Sequence, residues 1–186
     1  MKVISGILKG KNIDIQKSIN YRPTLSRIRE DIFNILLHSP KINIDLKNDI
    51  FGDISCGSGS IGIEALSRGF KHCYFNDINE KSLQIITNFL KNFNNLSFEC
   101  HNEDIENMNN KIKWELFDII YFDPPYEMDV EKIIKQNIFS IKDNTILIIE
   151  SNKNIFKKIE ELFLKKYKNK YIKIYSSKKI KKFLNV

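Results

Sequence analysis

The first forty residues and the rest of the chain differ in how their apolar residues are spaced. Between Leu25 and Leu36, apolar residues recur every three or four positions, which predicts an amphipathic helix ending near Ser39. Ahead of it, apolar residues alternate over residues 2–15 with glycines interspersed, which predicts a short hairpin. We therefore expect residues 1–40 to form a small N-terminal extension, a hairpin followed by a helix.

Beyond residue 40, short apolar runs alternate with amphipathic stretches, a pattern typical of βα units on a parallel sheet. The apolar runs predict strands near residues 50–54, 72–77, 96–100, 117–122 and 145–150. The amphipathic stretches predict helices that begin at Ser60, Glu80, Asp129 and Lys153. The tail predicts two further strands, at 171–175 and 180–184, joined by a Ser-Lys turn. Residues 41–186 should thus form one α/β domain with a doubly wound, seven-stranded, mostly parallel sheet.

A glycine-rich turn, DISCGSGSIG at residues 53–62, follows the first predicted strand. Gly57, Gly59 and Gly62 fit the pattern GxGxxG, and Asp77 lies twenty residues after Gly57, at the end of the second strand. Glycines allow a tight turn and a close approach of the backbone, and the acid can accept both ribose hydroxyls of an adenosine. The sequence therefore predicts a site for an adenosine-containing cofactor.

The position of Asp53, at the strand end, distinguishes between two such cofactors. In an NAD site the pyrophosphate lies at the helix N-terminus, where a carboxylate would repel it. S-adenosylmethionine has no phosphate and brings an ammonium and a sulfonium near the turn, so an acid favours it. A seven-stranded sheet of this kind also fits methyltransferases. Asp104 could bond the adenine amine. The simpler alternatives are that Asp53 only shapes a generic glycine turn and that Asp104 is an exposed loop acid.

The fourth predicted strand runs directly into Asp123-Pro124-Pro125-Tyr126, at the edge where open α/β sheets bind ligands. Two consecutive prolines fix φ and remove two N–H donors, so the turn is stiff and its carbonyls only accept hydrogen bonds. The Asp123 carboxylate and the Pro124 carbonyl are thus suited to hold both hydrogens of one NH₂ group.

Such a turn suits methylation of an exocyclic amine on a nucleobase. This amine is a poor nucleophile because its lone pair is delocalised into the ring. Holding both N–H bonds against acceptors points the lone pair at the methyl donor, so alignment and electrostatics can supply most of the acceleration. Tyr126 would stack on a base removed from its helix, a contact worth roughly 1–3 kcal/mol. Otherwise the prolines simply make a rigid turn with a buried tyrosine.

The charge of the chain is unevenly distributed. Residues 1–30 carry a net charge of +5 and residues 151–186 carry +10, so the total of +7 leaves −8 in between. Two basic ends around an acidic centre suit a catalytic body flanked by surfaces that meet phosphates. The alternative is that the terminal lysines are a solvated face.

Metal and membrane sites are not expected. The three cysteines form no CxxC pair, and the three histidines lack ligand spacing. No apolar run is long enough for a signal peptide or a membrane helix. We therefore expect a cytoplasmic protein without a metal, and we take it to be a monomer.

Several segments together resemble one family of enzymes across nearly the whole chain. They are Arg22-Pro23-Thr24, Arg27, Arg29-Glu30, Phe33-Asn34, Asp53, Gly57-Ser58-Gly59, Glu64-Ala65-Leu66-Ser67-Arg68-Gly69 and Asp123-Pro124-Pro125-Tyr126. This set resembles the RsmD-type 16S rRNA guanine-N2 methyltransferases, which have the class I S-adenosylmethionine-dependent fold. The chain departs from the family pattern at Ser55-Cys56, where Phe-Ala is usual, at Asn79, where a second acid is common, and at Ser176-Ser177-Lys178, which lacks a glycine.

The resemblance implies methylation of guanine N2 in 16S rRNA, on a partly assembled small ribosomal subunit. It implies S-adenosylmethionine binding by Asp53, Gly57, Ser58, Gly59, Asp77, Ile78 and Asp104. The guanine would be held by Asp123, Pro124, Pro125 and Tyr126. RNA contacts are expected from Lys9 and Lys11 of the hairpin and from Arg22, Thr24, Arg27 and Arg29. Arg27 could instead pair with Asp31 one helical turn later.

Three other functions fit parts of the sequence. The same chemistry could act on DNA adenine N6 or on a protein glutamine, since DPPY is shared with such enzymes. The glycine turn also fits an NAD-binding oxidoreductase, although Asp53 and the lack of an evident proton-transfer His or Tyr-xxx-Lys site argue against it. The basic ends fit a non-catalytic RNA-binding module.

Overall fold

The computed structural model describes residues 1–14, 25–107 and 111–185. Its helices and strands, in chain order, are α1 Ser26–His38, β1 Ile50–Ile54, α2 Ser60–Ser67, β2 His72–Asn76, α3 Glu80–Leu90, β3 Phe98–His101, β4 Ile119–Phe122, α4 Val130–Asn137, β5 Ile146–Ser151, β6 Phe163–Tyr167, β7 Lys170–Ser176 and α5 Ser177–Leu184.

The seven strands form one sheet in the order β3-β2-β1-β4-β5-β7-β6. Strands β1 to β5 are parallel, and β7 runs antiparallel to both β5 and β6. The order reverses between β1 and β4, the position at which such sheets bind ligands beyond the carboxyl ends of their strands. The predicted seven-stranded, mostly parallel α/β sheet is confirmed.

Apolar side chains on the two faces of the sheet form two separate cores. Along β4, Ile119 and Tyr121 belong to one core and Ile120 and Phe122 to the other. This alternation is the period of two that a strand imposes, and here both faces are apolar because helices cover both.

The N-terminal residues form an antiparallel turn with a single bridge between Lys2 and Asn12, rather than two full strands. The turn is fixed to α2 by the Glu64 carboxylate, which accepts hydrogen bonds from the backbone N–H groups of Ile4 and Ser5 at 2.8 and 2.9 Å. Its apolar residues lie in the same core as β1 and β2. The described residues of the N-terminal extension, 1–14 and 25–40, therefore pack with the sheet as one body.

Two predictions near the C-terminus are wrong. The segment from Lys153 forms turns instead of a helix and leads into β6, which was not predicted. Residues 180–184 belong to helix α5 instead of a strand. The sheet keeps seven strands because β6, joined to β7 by a short turn, takes the place of the expected last strand.

Candidate active site

A cavity of about 570 Å³ lies beyond the carboxyl ends of the central strands. Four segments line it, one after each of β1, β2, β3 and β4, and they include Ser55–Ser58, Asn76–Asn79, Glu103–Ile105 and Asp123–Met128. The glycine turn and the Asp123–Tyr126 corner thus face the same space. In the sequence, Gly57 and Asp123 are 66 positions apart. Parallel neighbouring strands bring them together.

The Asp77 carboxylate holds the glycine turn against the end of β2. One oxygen accepts the Gly57 N–H at 2.7 Å, and the other accepts the Asn79 N–H at 2.8 Å. Burial raises the pKa of Asp77, although these two N–H groups oppose the rise. Each carboxylate oxygen keeps a second lone pair, so Asp77 can also accept hydroxyl groups of a ligand in the cavity.

Asp53 lies beneath the glycine turn and does not line the cavity. Its Oδ2 accepts the Gly62 N–H at 2.8 Å, which ties β1 to the first turn of α2. Its Oδ1 is buried and has no hydrogen-bond partner among the described residues. Burial raises the pKa of Asp53 well above its usual range, and the nearby charges of Asp77 and Asp123 add to the rise. A cation near the turn would relieve this cost.

The part of the cavity beyond β2 and β3 combines an apolar surface with polar groups. Ile78 is 67% exposed, which is unusual for an isoleucine and leaves a flat apolar surface at the cavity wall. The loop after β3 is fixed to β2, because the Asn76 side chain donates to the Glu103 carbonyl and accepts the Glu103 N–H. Asp104 lines the cavity and is exposed.

Behind the proline corner lies a buried polar network that the sequence did not predict. The Tyr121 hydroxyl donates to Glu150 at 2.9 Å, and Glu150 forms an ion pair with Lys170 of β7. Glu150 is fully buried at the end of β5, next to the strand that carries Asp123. Asp53 and Asp77 were identified because each is an acid at the end of an apolar run. Glu150 ends such a run as well, so the same sequence pattern could have identified it.

A second cavity, of about 640 Å³, adjoins the first. The two share the corner and the segment after it, residues 124–128, and Glu150. Residues 151–155, Lys157 and Tyr171 line the second cavity and not the first, as do Asp129, Val130 and Glu131. The proline corner therefore stands between two spaces, one reached by the glycine turn and one bordered by the loop after β5.

Among the residues predicted to contact RNA, the four that the structure describes do not line either cavity. Lys9 and Lys11 are exposed on the N-terminal turn. The Ile7 N–H of this turn bonds to the Ser67 carbonyl, at the end of α2 remote from the glycine turn. Arg27 is exposed on α1. Burial opposes a fall in the pKa of Asp31, but hydrogen bonds from Lys165 and Tyr167 lower it, and the charge of Arg27 adds a smaller effect in the same direction.

Arg22 and Thr24 lie outside the described residues, and the prediction for Arg29 is wrong. The Arg29 side chain is 1% exposed and donates to the Lys2 carbonyl at 3.0 Å. Burial lowers its pKa, and the Glu64 carboxylate counteracts that shift. Arg29 therefore braces the N-terminal turn, and its guanidinium is not available to a phosphate.

The fold is that of the class I S-adenosylmethionine-dependent methyltransferases. A family model described as conserved hypothetical protein 95 matches residues 1–177. The chain belongs to this family, and the predicted RsmD-type membership is confirmed.

Three comparisons illustrate the likeness. Ribosomal RNA small subunit methyltransferase D of Buchnera aphidicola (subsp. Acyrthosiphon pisum) is 33% identical over 154 residues, which cover 81% of this chain and 78% of that protein. The structure of the Escherichia coli protein yhhF aligns with a TM-score of 0.75 at 21% identity, over 95% of this chain and 97% of that one. An RNA methyltransferase from Salinibacter ruber, solved with S-adenosyl-L-homocysteine, aligns with a TM-score of 0.60 at 10% identity, over 83% and 92%.

Two further observations concern membranes and metals. Among the residues described, no helix combines the length and the apolar composition needed to span a bilayer. The same residues contain no group of three or more His, Cys, Asp or Glu side chains arranged to hold a metal ion.

Proposed function

We propose that this protein transfers a methyl group from S-adenosylmethionine to the exocyclic N2 of a guanine in 16S rRNA of the small ribosomal subunit. The observation that carries the proposal is the single cavity lined by both the glycine turn and the Asp123–Tyr126 corner. The names of the relatives, ribosomal RNA small subunit methyltransferase D, support the choice of rRNA. The substrate we propose is a partly assembled subunit, met by a cytoplasmic monomer.

The residues of the first cavity fit S-adenosylmethionine. Asp77 offers free lone pairs to the ribose hydroxyls, Ile78 offers an apolar face to the adenine ring, and Asp104 can accept the adenine amine. The buried, unpartnered oxygen of Asp53 favours a positively charged ligand over a phosphate. When bound, S-adenosylmethionine supplies an activated methyl group on a sulfonium.

The proline corner would orient the acceptor. The Asp123 carboxylate and the Pro124 carbonyl accept the two N–H bonds of the guanine amine, so that its lone pair faces the cofactor cavity. Tyr126, which lines both cavities, stacks on the base. Asp123 can also take the proton that the nitrogen releases after transfer. The Tyr121–Glu150–Lys170 network behind the corner keeps it in place.

We propose roles for two parts of the chain within this one packed body. Residues 1–40 form the RNA side, with Lys9, Lys11, Arg22, Thr24 and Arg27 as contacts. Residues 41–186 carry the cofactor and the reaction.

The experiment that tests the proposal supplies labelled S-adenosylmethionine and undermethylated small ribosomal subunits, then digests the RNA to nucleosides. Label in N2-methylguanosine from 16S rRNA is the expected result. In parallel reactions supplied with DNA or with protein, label in methyladenine of the DNA or in methylglutamine of the protein would instead show the same chemistry on a different substrate. If calorimetry showed that the protein binds NAD and does not bind S-adenosylmethionine, the proposed function would be wrong and an oxidoreductase would be favoured.

Asp123→Ala is expected to abolish transfer and to leave the affinity for S-adenosylmethionine nearly unchanged, because Asp123 holds the acceptor. Asp123→Asn is the matched control, since it keeps one acceptor oxygen and the side-chain size while removing the charge, and it should retain partial activity. Transfer is measured as the initial rate with small subunits, and binding by calorimetry. Normal turnover by Asp123→Ala would remove this residue from the mechanism.

A further inference from the structure

The twelve lysines of residues 151–186 do not form one basic surface. Strand β7 runs antiparallel to β5, so that Tyr171 pairs with Ser151 near the cavities, while Ser176 pairs with Ile146 at the opposite edge of the sheet. Helix α5 follows Ser176 and therefore lies at the edge away from the cavities. Lys170 and Lys173 are buried inside the protein. The lysines that can reach RNA beside the reaction site are a small subset.

Two of them, Lys153 and Lys157, line the second cavity. They belong to residues 152–157, which we name the rim loop because five of its six residues line this cavity. This is the segment that the sequence predicted to be helical. It is the first part of the connection from β5 to β6 and contains no helix or strand.

The rim loop is fixed to the body of the protein. The buried ammonium of Lys173 donates to the Ile155 carbonyl at 2.9 Å, and the Tyr175 hydroxyl donates to the same carbonyl at 3.3 Å. The Phe156 N–H donates to the Glu131 carboxylate at 2.7 Å. The side chains of Ile155 and Phe156 are buried in the core. The exposed lysines thus project from a loop with a fixed backbone.

This anchoring has a cost that a connecting loop does not require. Lys173 is 3% exposed, and burying an ammonium is unfavourable even when it is hydrogen-bonded. Phe156 adopts φ +47°, a left-handed conformation that is unfavourable for a side chain of this size. Strained or costly conformations of this kind cluster at ligand-binding sites, where the shape of the loop matters.

The rim loop presents two cations that form no ion pair with the described carboxylates, although Glu127, Asp129 and Glu131 line the same cavity. Lys153 and Lys157 are exposed, and neither has an ion-pair partner among the described residues. By contrast, Lys179 and Lys181 of α5 pair with Glu160 and Asp143.

We propose that Lys153 and Lys157 of the rim loop bind backbone phosphates of the RNA on either side of the target nucleotide. With the phosphates held at the rim, the base would enter through the second cavity, pass Tyr126, which lines both cavities, and bring its amine to Asp123 in the first. Lys173 is a positioning residue that fixes the rim through the Ile155 carbonyl. The inference rests on the proposed function, since it requires that RNA be the substrate.

The test compares the double variant Lys153→Ala/Lys157→Ala with the control Lys178→Ala/Lys182→Ala. Both remove two exposed lysines, and the control pair lies on α5 at the opposite edge of the sheet. The measurement is the dissociation constant for undermethylated small subunits at several salt concentrations, together with KM and kcat for methyl transfer.

Removing two phosphate contacts should make the slope of log affinity against log salt shallower by about 1.4–1.8. Salt weakens the affinity of both proteins between 50 and 200 mM. The fold-loss for the rim variant should be roughly one tenth of the fold-loss for the unaltered protein. Its KM for subunits should rise with kcat and S-adenosylmethionine affinity unchanged, as expected when uniform binding is lost. The control variant should keep the original slope and KM.

A rim variant with the same slope and KM as the control would overturn the inference, provided that the unaltered protein methylates the subunits. Failure of the unaltered protein to methylate RNA would instead overturn the proposed function, so the two failures are distinguishable. The variant Lys173→Met tests whether the position of the rim loop matters in addition to the charges of Lys153 and Lys157. It should raise KM while leaving the salt slope unchanged, because it loosens the rim without removing a phosphate contact.

Discussion

Gly59→Ala should destabilise the folded protein through two separate costs. Gly59 ends the glycine turn with φ +69°, in the left-handed region that disfavours side chains. A Cβ atom there would lie 2.6 Å from both Cδ1 and Cγ1 of Ile86. Ile86 is fully buried in α3, so it has little room to move aside.

The two costs can be estimated separately. A non-glycine residue held in this region costs roughly 1–3 kcal/mol, and overpacking a core typically costs about 1–3 kcal/mol. The predicted loss is therefore about 2–6 kcal/mol in the free energy of unfolding, out of the roughly 5–15 kcal/mol that a domain usually has. Gly69→Ala is the control for the backbone cost alone, because Gly69 has φ +104° and nothing lies within 4 Å of its Cβ position.

Urea unfolding of Gly59→Ala, Ile86→Ala and the double variant measures the packing cost directly. In the Ile86→Ala background, Gly59→Ala should cost about 1–3 kcal/mol less than in the natural chain, because the opposing atoms are gone. Cofactor affinity should fall in Gly59→Ala, since a shifted turn no longer offers the Gly57 N–H to Asp77 in the same place. A Gly59→Ala variant no less stable than Gly69→Ala, with additive effects of Gly59→Ala and Ile86→Ala, would refute the reasoning.

Two further predictions concern the N-terminal turn and the pH dependence. Glu64→Ala leaves the backbone N–H groups of Ile4 and Ser5 unbonded and the buried Arg29 without its neighbouring charge. The free energy of unfolding, measured by heat or urea, should fall by about 3–5 kcal/mol. A fall below about 1 kcal/mol would contradict this role of Glu64. The pKa of Asp77 is raised in the folded protein. In the absence of cofactor, Asp77 therefore stabilises the folded state below the ordinary pKa of an aspartate, and this contribution is lost as the pH rises through the raised pKa. Cofactor affinity should rise over the same interval, because the ionised carboxylate is the better acceptor for ribose hydroxyls. Calorimetry as a function of pH checks this, and an affinity equally high at the acidic end of that range would disprove it.

The central part of the fold could be predicted from the sequence, because each element there has a clear local pattern. The strand ends carrying Asp53, Asp77 and Asp123 follow apolar runs, and parallel strands end at one edge of the sheet. Once those elements were assigned, the cavity residues followed from the topology.

The C-terminal errors arose where local spacing fits more than one structure. Ile155, Ile159 and Leu162 recur at helical spacing, yet the segment turns instead, since Lys173 and Glu131 hold its backbone from elsewhere in the fold. Ile180, Phe183 and Leu184 have the three- and four-residue spacing of a helix, and they lie in α5. The prediction of a strand at 180–184 relied on their apolar character and overlooked this spacing. Strand β6 alternates half-buried and exposed residues, a weak pattern for an edge strand.

The sequence by itself determined the local form of the two site segments, because a glycine turn after one strand and a proline-stiffened acidic corner after another each require a local backbone that their own residues impose. Only the tertiary structure decided which charges are available. A basic residue looks the same in a sequence whether it is exposed, like Lys153, or buried, like Arg29 and Lys173. Burial depends on contacts between residues far apart in the chain, and one antiparallel strand places the two ends of the same lysine-rich segment at opposite edges of the sheet.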